Sequence, residues 1–340
     1  MRRQVERSQW SGRGVHAEDL EIELGRLHRA YQGHAHAHAL ARTLNLIVMP
    51  SGPDCERVVS DNLATLGTHS PSRTIMLREH GADRLDAELV IESDVPEETG
   101  TVGVSHDRVL LAADRSRLEH ADSLLAPLLV NDLPTVLWLP DARAPIPDPR
   151  LLERAGHVLV DSSRGGAAVI RTLEELVRVA SVHDLAWGGL EFWRAATAAA
   201  FDPPERRALL PRVSDLELRY EGNAFESALL LAGWIAARAG WRSRRGERED
   251  GRLRTEAARA DGGAVSLTLE PDPKARGCGG IEKLTFRAGS DEVRIGRGAA
   301  THQLRDLFAE ALRPLRSFAS GYPEAVAHAE GMLGGAGDGA

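Results

Sequence analysis

The 340-residue chain has few of the residues that build disulfide, metal or nucleic-acid sites. Its two cysteines, Cys55 and Cys278, form neither a disulfide framework nor a zinc pattern, which points to a reducing compartment. A formal net charge of −8 argues against binding nucleic acid through its phosphates. No apolar run approaches the ~18 residues of a membrane span, and the polar residues after Met1-Arg2-Arg3 argue against a secretory signal. We predict a cytoplasmic protein that binds neither nucleic acid nor membrane.

Catalytic signatures are also missing from the sequence. It contains no G-x-S-x-G, H-E-x-x-H, C-x-x-C, kinase motif or glycine-rich phosphate loop. The turn Pro50-Ser51-Gly52-Pro53 joins a predicted strand to a predicted helix, but without a phosphate-loop pattern an ordinary βα turn is favoured. His34 and His38 have the spacing of helical metal ligands, yet no third ligand is near, so a solvated face is favoured. We expect no catalytic residue, no cofactor and no metal.

The residues that are present predict an α/β protein. Hydrophobic residues make up 42% of the chain, enough for substantial cores, and the length suits two domains. We predict two α/β domains, the first with a mixed, largely parallel central sheet, preceded by a helical N-terminal segment. The predicted boundaries are 1–40 for the helical segment, 41–168 and 169–328 for the two domains, and 329–340 for a flexible tail.

Hydrophobic periodicity assigns the elements. Strands are predicted at 44–49, 73–77, 85–92, 102–112, 135–139, 158–160, 213–219, 265–270, 281–287 and 293–297. Helices are predicted at 18–30, 53–66, 116–128, 171–180, 224–239 and 301–318, the third beginning with a capping box at Ser116 and Glu119 and the fifth capped by Asn223. The charged stretch 242–263 is expected to be a solvated loop. The order of elements after residue 213 resembles that of 44–130, which leaves a structural repeat as an open possibility.

The stretch 131–163 contains two short apolar strands joined by a connection long enough for a parallel crossover. Such strands end on the same edge of the sheet, which places Trp138 and Pro140, at the end of the first strand, beside Asp161, Ser162 and Ser163, which follow the second. Ligands and partners commonly bind at that edge in open α/β sheets. The alternative is that Asp161 and the two serines only cap the following turn or helix.

A second group of candidate residues follows one helix later. Asp184, Trp187, Trp193 and Arg194 are predicted to pack over the same edge, and tryptophan and arginine are the residue types that dominate interface energies. We therefore predict that they bind a partner together with the residues of the first group. The alternative is that the tryptophans fill the core, which is the more common role of large aromatic residues.

Several short motifs, in this order and spacing, resemble the glucose-6-phosphate dehydrogenase assembly protein family, OpcA, of actinobacteria and cyanobacteria. They are Arg42-Thr43-Leu44-Asn45-Leu46, Pro71-Ser72-Arg73-Thr74-Ile75, Leu133-Pro134 to Trp138-Leu139-Pro140, Val160-Asp161-Ser162-Ser163, Asp184-Leu185-Ala186-Trp187 with Trp193-Arg194, Phe201-Asp202-Pro203, and Leu229-Leu230-Leu231-Ala232-Gly233-Trp234. The resemblance covers about residues 40–240. It implies a non-catalytic accessory protein whose partner is glucose-6-phosphate dehydrogenase and which promotes that enzyme's assembly or active state, and so NADPH supply.

A second function remains open from the residues themselves. An α/β enzyme or sensor would bind a phosphorylated metabolite or nucleotide at the carboxyl edge of the first sheet. Thermal stabilisation by such a ligand without the dehydrogenase would favour this alternative. The oligomeric state of the chain and the stoichiometry with its partner are left open.

Overall fold

The computed structural model describes residues 3–32, 43–66, 72–96, 104–273, 280–296 and 321–334. They form two compact units. The first unit is drawn from Met1–Leu159 and Val179–Ser181, and the second from Val160–Arg178, Val182–Leu307 and Ser317–Ala340. The chain therefore first passes between units after residue 159, ahead of the predicted domain boundary at 168. The predicted helix 301–318, Cys278 and the histidines 34, 36 and 38 lie outside the described residues.

The first sheet has parallel strands at its centre and antiparallel strands on one side. Its strands are β1 (Arg3–Arg13), β2 (Leu44–Val48), β3 (Ser72–Glu79), β4 (Asp86–Pro96), β5 (Val104–Ala113), β6 (Thr135–Leu139), β7 (His157–Val160) and β8 (Ser181–Asp184). Their spatial order is β1-β4-β5-β3-β2-β6-β7-β8. The pairs β2–β3, β2–β6 and β3–β5 are parallel, whereas β1–β4 and β4–β5 are antiparallel. The predicted mixed, largely parallel sheet is confirmed.

The sequence pattern explains the centre of this sheet better than its edge. All five residues of β2 are buried, as expected for an apolar run covered on both faces. By contrast, β1 is a polar strand at the sheet edge that pairs with β4 from Arg3–Pro96 to Arg13–Asp86. Its sequence, RQVERSQWSGR, shows no hydrophobic alternation, so only the backbone pairing identifies it as a strand. The N-terminal segment thus contains this strand as well as the predicted helix.

The helices of the first unit begin mostly where the hydrophobic periodicity places them. They are α1 (Ala17–Gln32), α2 (Pro53–Leu66), α3 (Arg115–Leu118), α4 (Ala121–Leu125) and α5 (Pro149–Ala155). The predicted helix at 116–128 is divided into α3, α4 and a 3-10 turn that contains Pro127. The predicted capping box was wrong, because Asp114 caps α3 by accepting a hydrogen bond from the backbone N–H of Arg117 at 3.2 Å.

The second unit is built on a long buried helix. Its helices are α6 (Ala168–Val177), α7 (Leu185–Gly189), α8 (Glu191–Ala200), α9 (Pro204–Arg207), α10 (Phe225–Ala239) and α11 (Tyr322–Leu333). As its apolar sequence indicates, α10 is buried along most of its length, and it ends at Gly240 in the left-handed conformation (φ 68°). Asn223 is not its N-cap, since the helix begins after Ala224 without a side-chain cap. We did not predict α11, which continues into the segment expected to be a tail.

The sheet of the second unit is mainly antiparallel. Its strands are β9 (Asp215–Glu221), β10 (Arg242–Ser243), β11 (Glu247–Glu249), β12 (Arg252–Ala258), β13 (Ala264–Asp272), β14 (Ile281–Ala288) and β15 (Asp291–Gly296). They are ordered β10-β12-β13-β9-β14-β15, β11 also pairs with β12, and β9–β13 is parallel. Interpreting 242–263 as a loop was wrong, because Leu253, Thr255 and Ala257 are buried while the charged residues between them face solvent. The alternation of buried and charged residues here is that of a strand with one face in the core and the other exposed to solvent.

Close contact between α10 and α11 completes the core of the second unit. A Cβ atom at Gly233 of α10 would lie 2.3 Å from the backbone oxygen of Ala325 in α11. Such a distance is shorter than any normal contact, so the two backbones approach as closely as they do because residue 233 has no side chain. Tyr322, at the start of α11, is thereby brought into the core, with 1% of its surface exposed.

We predict that Gly233→Ala lowers the free energy of unfolding by about 2 kcal/mol, because the added methyl group must push the two helices apart. Gly331→Ala is the matched control in α11, since its Cβ would meet only the Cβ of Ser243, at 3.9 Å. It should be neutral or stabilising by up to about 1 kcal/mol through helix propensity. Urea denaturation of both variants measures the difference, and equal stabilities would contradict the close helix contact.

Candidate functional site

A buried carboxylate, that of Asp184, is the centre of the polar residues in the second unit. It lies at the end of β8 and caps α7 by accepting a hydrogen bond from the backbone N–H of Ala186 at 3.0 Å. Ser162 donates to it twice, from its backbone N–H at 3.1 Å and from its hydroxyl at 2.7 Å. The Tyr322 hydroxyl donates at 2.9 Å. Four donors from three separate segments therefore converge on one side chain.

The neighbouring residues Asp161 and Ser163 form a local cap. Asp161 accepts hydrogen bonds from the backbone N–H of Ser163 at 3.1 Å and from its hydroxyl at 2.6 Å. These bonds stabilise the 3-10 turn Ser162–Arg164 that follows β7. Capping, the alternative that the sequence left open for these residues, is what the geometry shows.

Burial changes the acid–base properties of the cluster. Desolvation raises the pKa of Asp184 to about 6, the hydrogen bonds from Ser162 and Tyr322 act in the opposite direction, and the nearby negative charge of Asp161 raises it further. Burial, together with the Asp184 carboxylate, raises the pKa of Tyr322 well above its ordinary value. At neutral pH the tyrosine is therefore a hydrogen-bond donor and the aspartate an acceptor, which matches their geometry.

Trp187 links this cluster to Arg194. The Trp187 and Tyr322 rings are tilted against each other with centroids 5.4 Å apart. The Arg194 guanidinium carbon lies 3.9 Å from the Trp187 ring centroid, and its Nη1 donates to the Trp187 carbonyl at 2.7 Å. Partial burial lowers the pKa of Arg194 to about 10, still far above neutral pH, so the stacked side chain carries its positive charge.

The three tryptophans that the sequence analysis predicts to bind a partner are all buried. Trp187 is 1% exposed, Trp193 in α8 is 0% exposed and Trp138 in β6 is 2% exposed. This burial favours the core-filling alternative for their rings within the chain. Trp138 and the partly exposed Pro140 belong to the first unit, whereas the other predicted residues belong to the second. The second unit brings together Asp161, Ser162, Ser163, Asp184, Trp187 and Arg194, with Trp193 nearby in α8.

Tyr322 is the member of the cluster that the sequence analysis missed. It is 138 positions from Asp184. The pattern Gly321-Tyr322-Pro323 is a signal for a helix start, because Gly321 is the N-cap of α11 and proline follows within its first turn. The pattern predicts a helix there, but nothing in it indicates that the tyrosine meets an aspartate.

The cluster has the geometry of a structural connection between segments. The Ser162 hydroxyl donates directly to a carboxylate, whereas an activated serine requires a base, usually histidine, between the two. Within the residues that the structure describes, no group of three histidine, cysteine or acidic side chains is arranged to hold a metal. No helix in the same part of the chain is long and apolar enough to cross a membrane.

Two family models match the chain in succession. One, described as the glucose-6-phosphate dehydrogenase subunit N-terminal domain, matches residues 64–178, and the other, described as the C-terminal domain of the same subunit, matches residues 180–317. Together they cover well over half of the chain. The chain belongs to the glucose-6-phosphate dehydrogenase assembly protein family, OpcA. The resemblance inferred from the short motifs is thus confirmed.

Relatives in cyanobacteria match a shorter stretch of the OpcA-family chain. The chain is 29% identical over 210 residues to the protein named "Putative OxPP cycle protein OpcA" of Synechocystis sp., and the match covers 59% of this chain and 44% of that protein. It is 28% identical over 224 residues to the protein of the same name in Synechococcus elongatus, covering 63% and 47%. The chain thus spans less than half the length of these relatives.

Solved structures with a similar arrangement are distant. An oxidoreductase from Sinorhizobium meliloti is 12% identical with a TM-score of 0.44, covering 86% of this chain and 97% of that one. D-galactose-1-dehydrogenase from Rhizobium etli is also 12% identical, with a TM-score of 0.42 and coverage of 87% and 96%. Similarity at this level assigns no activity to the OpcA-family chain.

We predict that Asp184 makes folding pH-dependent. Its pKa is about 6 in the folded protein against an ordinary 3.8, so between these values the folded state holds a proton that the unfolded chain releases. Stability from this group is therefore present at low pH and is lost as the pH rises through 6. Between about pH 4.5 and 7.5 the free energy of unfolding of the wild type should fall by about 2 kcal/mol relative to that of Asp184→Asn.

Urea denaturation at the two pH values measures this difference. Asparagine suits the site because its oxygen accepts the two backbone N–H groups while the Ser162 and Tyr322 hydroxyls turn to accept from its amide. Asp202→Asn is the control, since Asp202 is 83% exposed and pairs only with Arg207 in the described structure. If wild type and Asp184→Asn change equally with pH, the buried acid does not have the raised pKa.

Proposed function

We propose that this OpcA-family chain is a non-catalytic accessory protein that binds glucose-6-phosphate dehydrogenase and promotes its assembly or active state. The observation that carries the proposal is the match of both dehydrogenase-subunit models, in order, over residues 64–178 and 180–317. Through its partner the protein would act on NADPH supply in the oxidative pentose phosphate pathway, consistent with the OxPP cycle names of its cyanobacterial relatives.

The polar cluster of the second unit supports a non-catalytic role. Asp184 and Ser162 are 2% and 0% exposed, respectively. Their hydrogen-bonding groups are directed at each other, at Tyr322 and at the backbone of Ala186. A substrate would have to displace these bonds and open the core to reach the serine, so the cluster is suited to holding the fold.

Arg194 is the residue of the second unit that best suits a contact with the dehydrogenase. It is partly exposed, and its guanidinium is held in place by the Trp187 ring and carbonyl. An arginine restrained in this way loses less conformational entropy on binding, and arginine is enriched among residues that dominate interfaces. Ser163 is also partly exposed in this unit, as is Pro140 in the first. We propose that these three residues contact the dehydrogenase and that the buried predicted residues hold them in position.

The first test of the proposal is enzymatic. The purified chain should show no turnover with glucose 6-phosphate and NADP, because Ser162 and Asp184 are buried and hydrogen-bonded to each other and so are closed to substrate. Added to its cognate dehydrogenase over a range of ratios, it should change the rate, the KM or the assembly state of the enzyme. Steady-state kinetics and sedimentation of the mixture measure these effects, and a dehydrogenase unaffected at every ratio would refute the accessory role.

The second test addresses the contact residue. Arg194→Ala should weaken dehydrogenase binding by a factor on the order of 30, the cost of ~2 kcal/mol at an interface hot spot. Trp187→Ala should instead lower stability by about 3–5 kcal/mol, because its ring is buried. Binding is measured by titration calorimetry, and melting is followed in parallel.

Arg207→Ala is the matched control, a surface arginine of the same unit that pairs with Asp202. It should bind the dehydrogenase as the wild type does. Binding by Arg194→Ala at wild-type strength would place the interface elsewhere while leaving the accessory role intact.

A further inference from the structure

The first unit has a crevice at the carboxyl ends of its parallel strands. β2 lies between β3 and β6 in the sheet and is parallel to both. The chain passes from β2 through α2 to β3 on one side, and reaches β6 on the other side only later. Connections that leave neighbouring strands in opposite directions open a crevice, which is where open α/β sheets bind ligands. Here its volume is 820 Å³, within the range of small-molecule sites.

One wall of the crevice is apolar. Leu77 and Leu139, near the ends of β3 and β6, belong to this wall and are 2% and 3% exposed. Met49, Leu118 and Ile146 line it with partly exposed side chains. Partly exposed apolar groups around a concave surface gain free energy when a flat apolar ligand covers them. This wall therefore suits an aromatic ring system.

The arginines of the crevice are already engaged by carboxylates. Arg78 donates from Nε to Glu56 at 2.8 Å and from Nη2 to the second oxygen of the same carboxylate. The Nε of Arg115 lies 3.6 Å from Glu119. A ligand phosphate would have to compete with these carboxylates for the guanidinium groups, so the arginines do not form a ready anion site.

The turn between β2 and α2 is also unsuited to phosphate. Its Ser51 hydroxyl donates to Asp141 at 2.7 Å. Asp54 and Glu56 are carboxylates in the first turn of α2, where a phosphate would otherwise meet the positive end of the helix. Pro53, the first residue of the helix, has no N–H to donate. The crevice is lined by four carboxylates, those of Glu56, Glu79, Glu119 and Asp148, against two arginines, so a phosphate there would meet a net negative charge.

Glu79 is the carboxylate of the crevice that remains available. It is the exposed last residue of β3, next to the end of β2, and its side chain has no ion pair or hydrogen bond within the described part of the chain. Asp148, by comparison, accepts from the backbone N–H of Arg150 at 2.7 Å. In α/β sheets that bind nucleotides, an acidic residue near the end of the strand after the first helix accepts hydrogen bonds from ribose hydroxyls.

We propose that this crevice binds a nucleoside, with its base against the apolar wall and its ribose hydroxyls donating to Glu79. A phosphate group at the β2–α2 turn weakens the binding. This site lies in the first unit and does not depend on the proposed role toward the dehydrogenase. It would give the chain a small-molecule ligand of its own.

The test uses the full chain without the dehydrogenase and titrates adenosine by calorimetry up to about 5 mM, a range that detects millimolar dissociation constants. Adenosine should bind saturably, and AMP about tenfold more weakly, as one unfavourable charge contact predicts. Glu79→Gln should weaken adenosine binding about tenfold by removing a charged acceptor. Glu21→Gln, a change at an exposed carboxylate of α1, is the matched control and should bind as the wild type does.

A second variant tests the location independently. Ala144→Trp places a large ring in the crevice from a partly exposed position and should abolish adenosine binding with little change in melting temperature. Absence of saturable binding, binding that neither Glu79→Gln nor Ala144→Trp weakens, or AMP binding as tightly as adenosine would each overturn the proposal. Because no dehydrogenase is present, these outcomes leave the accessory role untouched.

Discussion

The fold of the second unit depends on how it compensates the free-energy cost of burying one carboxylate, that of Asp184. Removing an ionised aspartate from water costs several kcal/mol unless donors replace the lost solvent. Asp184 receives four hydrogen bonds, from Ser162, Ala186 and Tyr322. The three donor residues belong to three different segments, so the charge is satisfied only when all three segments are in place. Because the buried carboxylate is stable only with these donors, its burial favours the one arrangement of the chain that brings them together.

The close packing of α10 and α11 makes this arrangement possible. Gly233 lets the backbone of α11 approach, and this approach brings the Tyr322 hydroxyl within reach of Asp184. The tyrosine ring in turn supports Trp187, on which Arg194 stacks. A partly exposed arginine is therefore held by a series of contacts that begins in the core. If Arg194 contacts the dehydrogenase, changes at Asp184 or Gly233 act on binding through its orientation.

The first unit presents a different kind of surface. Its parallel strands β3, β2 and β6 end at a crevice whose charged groups are largely paired with one another. An α/β sheet of this kind leaves a concave site as a consequence of its topology, whether or not catalytic residues are present. Membership of the OpcA family identifies the chain as a relative of dehydrogenase assembly proteins. The crevice adds a place at which a small molecule could be recognised independently of that partner.

The sequence by itself determined the α/β class, the central strands, most helices and the family, because these depend on local periodicity and short motifs. It also placed Asp161, Ser162, Ser163 and Asp184 among the candidate residues. Only the tertiary structure decided that Asp161 and Asp184 are caps to which the two serines donate, that Tyr322 completes their network, and that the tryptophan rings are buried. The edge strand β1 and the charged strand β12 were likewise identified by pairing. Hydrogen bonds between residues more than a hundred positions apart, and backbone pairing of polar strands, leave no periodic trace in the sequence, since they depend on which segments packing brings together.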